Sequence, residues 1–163
     1  MVEEAVINMN PFIQRAVQSL LNVLDTLDKE LQALNLEVEK IASKDEDVKL
    51  LQTIDGVGPI TALVFKTEID DPKRFENSKD VAAYIGLTPS QYSSGEVQRQ
   101  GGISKKGSSR TRYLLVEAAS AMLTRCKIWS KVKAWGMKLK KKKGSRKATV
   151  AVARKLAVIM HRI

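Results

Sequence analysis

The sequence predicts a mainly α-helical fold, in which a long N-terminal coiled-coil helix is followed by a compact helical domain. Three observations lead to this prediction. Apolar residues recur at helical spacing near the N-terminus, a glycine-rich turn separates two apolar helical segments, and no segment has a convincing strand pattern. The chain has 163 residues, 44% of them hydrophobic, which is enough to bury a core. We expect residues 1–48 to form the coiled coil and residues 49–163 the compact domain.

The first predicted helix begins at Pro11, with Asn10 as its N-cap. Its apolar residues alternate at steps of four and three through four heptads, which keeps one seam facing a partner helix. The seam predicts a coiled coil that joins protomers into a homodimer or higher oligomer; the alternative is a long helix packed on its own domain. The seam consists of Ile13, Val17, Leu20, Leu24, Leu27, Leu31, Leu34, Val38 and Ile41.

The second predicted element is a pair of helices joined by Gly56-Val57-Gly58-Pro59, which resembles a helix-hairpin-helix motif. Glycines in this turn expose backbone N–H groups at the start of the second helix, where the helix dipole favours a phosphate. Pro59 has no N–H to lose at that position. Gly56, Val57 and Gly58 are therefore predicted to bind the DNA backbone without reading its sequence. The alternative is a tight turn between two packed helices.

A proline ends the second helix of this pair, because Pro72 disfavours helical geometry in the residue before it. We interpret Asp70 and Asp71 as residues of the helix terminus and not as metal ligands, since no third ligand stands at a recognisable spacing. Ser78 is the predicted N-cap of a short helix that closes at Gly86.

The next segment, Thr88 to Gly107, is predicted to be a loop that contains a small hairpin. Its four glycines allow the backbone to turn and to approach a partner closely. Its serine hydroxyls and cations suit an anionic oxygen such as that of a phosphate. The candidate phosphate contacts in and just after this segment are Arg99, Lys105, Lys106, Arg110 and Arg112.

Beyond this loop the sequence predicts one long helix over residues 108–135, capped by Ser108 or Ser109. Within it, Trp129 lies among cations, as does Trp135, and packing under lysine side chains is favoured over stacking on bases. The residues predicted to be available for its core face are Tyr113, Leu114, Leu115, Val116 and Met122.

A basic connection is predicted from Gly136 to Ser145, and a last helix over residues 148–163 should cover the core with small and branched apolar residues. The connection is the most cationic stretch of the chain, so we predict that it binds DNA. Its predicted DNA-binding residues are Lys140, Lys141, Lys142 and Lys143.

Charge is divided unevenly along the chain. Residues 1–117 contain all 18 acidic residues and 14 basic ones, a net charge of −4, whereas residues 118–163 contain 14 basic residues and no acidic one. Such a cationic block lacks ion-pair partners of its own and predicts binding to a polyanion, of which nucleic acid is the commonest inside cells. The alternative is a solvated, lysine-rich tail that aids solubility.

Several other classes of protein and site are disfavoured. The acidic start is unlike a secretory signal, and no apolar run is long enough to cross a bilayer, so we expect a cytoplasmic protein with no membrane partner. The single cysteine, Cys126, excludes an internal disulfide, and with the single histidine, His161, it cannot form a zinc site. We interpret Cys126 as a small helix residue and His161 as a surface residue.

Three segments together resemble the C-terminal domain of transposases from insertion sequences 110, 116 and 902: IDGVGPITALVFKTEI, DPKRFENSKDVAAYIGLTPSQYSSG and ISKKGSSRTRYLLVEAA. The resemblance covers residues 50–120. It implies part of an enzyme that cuts and rejoins DNA, in some members under the guidance of an RNA. Within Tyr92-Ser93-Ser94-Gly95 it implies Ser94 as the nucleophile, with Ser93 as second choice.

Attack by Ser94 on a phosphodiester would give a phosphoserine link, and the cations near it would offset the charge of the phosphoryl group. The alternative for Ser94 is a turn residue whose hydroxyl bonds its own backbone. The corresponding alternative for the whole chain is a non-catalytic helix-hairpin-helix DNA-binding module. A helical adaptor that binds partner proteins through residues 12–42 is the third alternative.

The resemblance also implies an N-terminal RNase H-like domain whose acidic residues bind magnesium, and this chain has no room for it before the coiled coil. We therefore expect no cofactor in this fragment and Mg²⁺ in the missing domain. If the reaction needs that metal, the chain alone should bind nucleic acid without recombining it.

Overall fold

The structure is a computed structural model that describes the backbone of residues 10–94 and 97–163, and the side chains of these residues except 92–94 and 97–100. The described residues form seven α-helices and one sheet of two antiparallel strands. This confirms the predicted mainly α-helical fold with its long N-terminal helix. None of the described helices is both long and apolar enough to cross a membrane. In chain order the elements are α1 (Pro11–Ala42), α2 (Glu46–Gln52), α3 (Pro59–Ile69), α4 (Ser78–Tyr84), β1 (Pro89–Ser94), β2 (Val97–Ile103), α5 (Ser109–Thr124), α6 (Lys131–Lys143) and α7 (Ser145–Met160).

Helix α1 begins where the sequence predicts. Oδ1 of Asn10 accepts a hydrogen bond of 3.0 Å from the backbone N–H of Phe12, and the helix starts at Pro11. Seven of the nine seam residues are exposed, with exposed fractions from 52% for Ile13 to 66% for Leu20. Leaving this much apolar surface in water is unfavourable. Pairing of the seam with another helix therefore stays our prediction.

A boundary between two compact units falls between Ile41 and Ala42. The unit that begins at Ala42 is built around α7, which packs against α4, α5 and α6, while α3 packs against α2 and α5. On α5, Leu115 and Met122 are buried as predicted, whereas Tyr113 is 63% exposed. The buried residues of α7 are small or branched, which lets its neighbours approach closely: Ala148, Val152, Ala153, Leu156, Ala157 and Met160.

The prediction of one helix over residues 108–135 is wrong in its second half, because the chain forms two helices, α5 and α6. Ser108 caps α5, as one of the two predicted caps. Ser130 caps α6, since its hydroxyl accepts a hydrogen bond of 3.2 Å from the backbone N–H of Lys133. The ammonium of Lys133 donates a hydrogen bond to the carbonyl of Cys126. Cys126 therefore lies in the connection between the helices and not in a helix.

The predicted basic connection from Gly136 to Ser145 is also wrong, because most of this segment is helix α6. Gly136 is buried where α6 approaches its neighbours, and a Cβ there would lie 2.7 Å from Cδ2 of Leu123 and 2.7 Å from Cγ2 of Val152. Its lack of a side chain serves helix packing and not flexibility. The lysines of this segment consequently extend from a helix surface.

The end of α7 contacts the start of α4 and the segment before it. These contacts correct two further predictions. Asn77, and not Ser78, is the N-cap of α4. The hydroxyl of Ser78 is instead 3.0 Å from Nδ1 of His161, and Nε2 of His161 donates to the carbonyl of Pro72 over 2.9 Å. His161 is therefore a half-buried connecting residue and not a free surface histidine.

The predicted small hairpin consists of β1 and β2. The strands are antiparallel, and a β-bulge lies between Pro89 and Gln91. The hydroxyl of Ser90 donates a hydrogen bond of 3.1 Å to the carbonyl of Gly102, near the base of the hairpin. The paired residues are Pro89 with Ile103, Gln91 with Gln100, Tyr92 with Arg99, Ser93 with Gln98 and Ser94 with Val97.

Candidate nucleic-acid interface

Ser94, the predicted nucleophile, is the last residue of β1, and its backbone pairs with Val97 at the end of the hairpin opposite to the pair of Pro89 with Ile103. Gly95 and Glu96, which separate the strands in sequence, lie outside the described residues. The side chains of Ser93, Ser94 and Arg99 lie outside them too, so the predicted roles of these three residues stay predictions.

Two glycines fix the base of the hairpin on the end of α4. Gly86 has φ of 79° and Gly107 has φ of 81°, a conformation that other residues rarely adopt. A Cβ at Gly86 would collide with the carbonyl oxygen of Lys106, and a Cβ at Gly107 would collide with that of Tyr84. A hydrogen bond of 3.1 Å from the N–H of Lys105 to the carbonyl of Gly86 joins the same two segments. We call these contacts the glycine clamp.

Arg112 is part of the same base. Its Nη1 donates hydrogen bonds to the carbonyl of Ile85 over 2.9 Å and to the carbonyl of Lys106 over 3.3 Å. One guanidinium nitrogen therefore bridges the segment before the hairpin and the segment after it. Among the predicted phosphate contacts whose side chains the structure describes, Arg112 is the one whose side chain makes a supporting contact of this kind.

Two open grooves border the base of the hairpin, and helix α7 lines both of them. The first has a volume of about 840 Å³ and the second about 410 Å³. None of the described residues that line them is acidic. The cations that line the first groove are Lys106 and Arg154. Those that line the second are Arg146, Lys147 and Arg154. Residues 146, 147, 150, 151 and 154 follow helical spacing, so they share one face of α7.

The proximity of three of these cations to the serine segment was not predicted from the sequence. Arg146, Lys147 and Arg154 are far from Ser94 in sequence, and only the packing of α7 against the hairpin's base brings them near. The available signal was their spacing on one helical face opposite the buried residues of α7. Of the predicted phosphate contacts whose side chains the structure describes, Lys106 is the one that lines these grooves.

Lys105 and Arg110 are not among the described residues that line the grooves. Lys105 is exposed and has φ of 56°. Arg110 lines a separate depression between α3 and α5, together with Glu68. A carboxylate at that place makes it a poorer phosphate site than the grooves beside the hairpin.

The Gly56-Val57-Gly58 turn is partly used for packing. Gly56 has φ of 85°, and a Cβ there would lie 2.5 Å from the carbonyl of Ala118 on α5. Val57 is only 6% exposed, so it belongs to the core. A Cβ at Gly58 would meet nothing within 4 Å, and Gly58 is the N-cap of α3. The predicted contact of this turn with DNA stays a prediction, with Gly58 as the open position.

A cluster of ion pairs in the described residues is centred on Lys66. Nζ of Lys66 is 2.7 Å from carboxylate oxygens of both Asp45 and Asp47. The hydrogen bond from Lys66 lowers the pKa of Asp45, and Asp45 and Asp47 raise the pKa of Lys66. In the described part of the chain, no cation of α6 or α7 is in an ion pair. The charge of these helices is therefore available to an external polyanion.

The lysines predicted to bind DNA occupy the last turn of α6. Lys141, Lys142 and Lys143 are exposed, and Lys140 is half-buried. Positive charge at a helix C-terminus is favourable, because it lies at the negative end of the helix dipole.

The two tryptophans are covered by lysine ends rather than buried. Nζ of Lys133 is 5.8 Å from the ring centroid of Trp129, and Nζ of Lys155 is 5.5 Å from that of Trp135. Trp129 is nevertheless 68% exposed. The predicted contacts with lysines are present, and one face of Trp129 is left to solvent.

The described residues contain no group of three or more histidine, cysteine, aspartate or glutamate side chains that could hold a metal ion. Asp70 is the C-cap of α3, and Asp71 accepts a hydrogen bond of 2.9 Å from the backbone N–H of Lys73. Both aspartates therefore lie at helix termini, as interpreted from the sequence.

Comparison with known proteins gives consistent matches. The sequence profile described as "Transposase IS116/IS110/IS902 family" matches residues 48–134. The chain is 34% identical over 155 residues to "Transposase for insertion sequence element IS1111A" of Coxiella burnetii, which covers 94% of the chain and 43% of that relative. It is 30% identical over 145 residues to "Probable family 20 transposase" of Pseudomonas aeruginosa, covering 88% of the chain and 43% of that relative.

A third relative, "Transposase for insertion sequence element IS1328" of Yersinia enterocolitica, is 34% identical over 115 residues, which is 71% of the chain and 34% of the relative. The chain thus spans less than half the length of these curated relatives. The matched profile includes the turn at Gly56, the glycine clamp, the whole hairpin and α5.

Proposed function

Since the chain belongs to the IS116/IS110/IS902 family of transposases, we propose that it supplies the DNA-binding and serine-bearing part of an insertion-sequence transposase. The observation that carries the proposal is the position of Ser94. Its backbone lies at the far end of a hairpin whose base is fixed by the glycine clamp and bordered by grooves in which the described lining residues include cations and no acidic residue.

In the proposed reaction, Oγ of Ser94 attacks the phosphorus of a DNA phosphodiester. A phosphoserine bond forms, the bond from phosphorus to the leaving deoxyribose oxygen breaks, and that oxygen takes up a proton. The serine proton passes to a base. The covalent link conserves the energy of the phosphodiester. A hydroxyl of a second DNA end can therefore attack the phosphoserine, form a new phosphodiester and release Ser94. Cations near the phosphoryl group would stabilise its charge in the transition state.

The chain alone is proposed to bind DNA without recombining it. The curated relatives are more than twice as long as the part that this chain matches. In our proposal the remaining part is an RNase H-like domain that binds Mg²⁺, which would supply metal-assisted phosphoryl chemistry. We further propose that self-association through the α1 seam brings two serine-bearing domains to the two DNA ends that must be joined.

The test is to trap the phosphoserine link. The chain is joined to the N-terminal part of a full-length relative and incubated with Mg²⁺, a labelled DNA carrying the relative's element end, and the guide RNA where that relative has one. The mixture is then denatured in detergent and separated by size. We expect a labelled DNA adduct with the native sequence, an adduct with the control Ser93→Ala, and none with Ser94→Ala.

An adduct that persists in Ser94→Ala and disappears in Ser93→Ala would move the nucleophile by one residue and contradict the proposal. Absence of an adduct from all three proteins, with DNA binding intact, would favour a non-catalytic DNA-binding module. That second function has one observation in its favour, since the cations of α6 and α7 without ion-pair partners would suffice for it.

A further inference from the structure

We propose that Arg154 binds a phosphate of the DNA strand that lies beside the Ser94 hairpin, with Lys106 assisting in one groove and Arg146 and Lys147 in the other. The inference rests on the proposed function for the identity of the polymer as DNA. It adds a binding site on α7, outside the segment matched to the family.

Arg154 has a special place among the cations of α7. Among the cations whose side chains the structure describes, it is the one that lines both grooves, which border the base of the hairpin. It is half-buried, and it has no hydrogen-bond or ion-pair partner among the residues that the structure describes. A guanidinium that is partly removed from water and unpaired is at a disadvantage unless an anion completes its hydrogen bonds.

The surroundings of Arg154 favour a phosphate of a nucleic-acid backbone. The planar guanidinium can bind two phosphate oxygens at once, which a lysine cannot do. The first groove is also lined by Thr88 and Gln91, whose side chains carry neutral hydrogen-bond donors, and by Ser90, whose hydroxyl already donates to the carbonyl of Gly102. Neutral donors and cations without acidic residues are the composition that proteins use to position a DNA backbone.

The two grooves also suggest the course of the strand. They meet at Pro89 and Arg154, and each borders the hairpin's base. A strand that follows them would pass from Arg146 and Lys147 across Arg154 to Lys106. We therefore expect Arg154 to hold the backbone at a fixed distance from the hairpin that carries Ser94, as a positioning residue and not as a catalytic one.

The experiment compares three variants of the chain with the native protein. Binding to a fluorescein-labelled DNA duplex of random sequence is measured by fluorescence anisotropy over a series of salt concentrations. Arg154→Gln should weaken binding by about fivefold to tenfold and reduce the slope of log affinity against log salt by about one. Arg154→Lys keeps the charge, so it should keep most of the slope while losing part of the affinity.

Lys155→Gln is the matched control, because it removes the same charge from the next residue of the same helix, where the side chain is exposed and lies over Trp135. It should change the affinity by less than about twofold. Equal losses in Arg154→Gln and Lys155→Gln would overturn the inference, since the effect would then be one of total charge.

Circular dichroism and thermal melting of each variant verify the fold. If Arg154→Gln does not fold, the exposed pair Lys106→Gln and Arg146→Gln replaces it, and an unchanged salt slope in both would overturn the inference.

Crosslinking tests the location. A benzoylphenylalanine in place of Ser90, in the first groove, should crosslink to the duplex in the native background and clearly less efficiently with Arg154→Gln. The same group in place of Tyr113, which is exposed and lines neither groove, is the control. Crosslinking from Tyr113 but not from Ser90 would overturn the inference.

An RNA of the same sequence separates the two possible polymers. A loss in Arg154→Gln that is confined to RNA would overturn DNA as the ligand. The serine test is independent of all these readouts. If the adduct depends on Ser94 but Arg154→Gln binds DNA as tightly as the native protein, this inference alone is contradicted. If the groove crosslinks to DNA but no protein forms an adduct, the serine chemistry alone is contradicted.

Discussion

Gly86 and Gly107 lie where both ends of the hairpin meet α4, and neither position has room for a side chain. Each also has a positive φ, so an added Cβ would meet backbone strain as well as a steric collision. These two causes act together, which makes the clamp a sensitive point of the domain.

We predict that Gly107→Ala lowers the free energy of unfolding by about 1–3 kcal/mol, because it forces a left-handed alanine against the carbonyl of Tyr84. Urea unfolding followed by circular dichroism measures the change. Gly102→Ala is the matched control within the same hairpin, since a Cβ there would meet nothing within 4 Å. Equal stability of Gly107→Ala and native protein would show that the base of the hairpin relaxes without cost.

A second residue-scale prediction concerns pH. Lys66 lowers the pKa of Asp45 below its ordinary value of 3.8, so the folded state binds this proton less readily than the unfolded state. The stabilisation is therefore present above about pH 4 and is lost as the pH falls through the lowered pKa. Asp45→Asn should remove this dependence, so the stability difference between native and variant protein should shrink at acidic pH. A difference that stays constant from neutral pH down to acid unfolding would argue against the pair.

At the residue scale, local features were predictable and distant contacts were not. The caps at Asn10 and Ser108 follow from a polar side chain just before a helix, which sequence alone displays. The contact of Arg112 with the carbonyls of Ile85 and Lys106 depends on how α5 packs against the end of α4. Nothing in the spacing of these residues indicates that contact.

Helix α1 is the element with the clearest unsatisfied surface. Its seam residues are mostly exposed, and a second helix would cover them. We predict that Leu31→Asp weakens self-association by at least about tenfold, because a carboxylate in an apolar seam is costly to bury. Light scattering over a range of protein concentrations measures the effect.

The matched control for the seam is Leu36→Asp. Leu36 is 57% exposed, nearly as much as Leu31 at 58%, but it lies off the seam. It should therefore leave the oligomeric state unchanged. Monomers from both variants would indicate that the association uses another face, and oligomers from both would contradict the coiled coil.

At the element scale, helices whose ends carry strong sequence signals were predictable. The segment around α6 was not, and it was predicted as a connection although it is a helix. Pro11, Pro59 and Pro72 mark helix boundaries directly, because proline restricts the backbone. Around α6, by contrast, Gly136 and the run of lysines have the composition of a linker. Position 136 has no room for a side chain because Leu123 and Val152 approach it closely from other helices. The sequence of a single segment does not reveal such a contact.

The whole molecule is electrically divided, with a net charge of −4 over residues 1–117 and 14 basic residues without an acidic one over residues 118–163. The sequence displays this division directly, and the division predicts a polyanionic partner. The position of the α7 cations at the base of the hairpin was not predictable in this way, since it requires the packing of α7 against α4 and α5.

We predict that replacing Lys140, Lys141, Lys142 and Lys143 with glutamine flattens the salt dependence of DNA affinity, by at least about two in the slope of log affinity against log salt. Fluorescence anisotropy with a labelled duplex measures it. An unchanged slope would show that these lysines do not contact phosphates. The control makes the same change of four charges in the net-negative part of the chain, at Arg15, Lys29, Lys44 and Lys79.

The glycine clamp has a consequence for divergence within the family. It joins backbone atoms of residues 84–86 to backbone atoms of residues 105–107. Because these contacts are made by the backbone, we expect them to persist when the strands beyond them change in sequence. Exchanging residues 90–101 between members of the family should therefore yield chimaeras that keep the fold of the recipient.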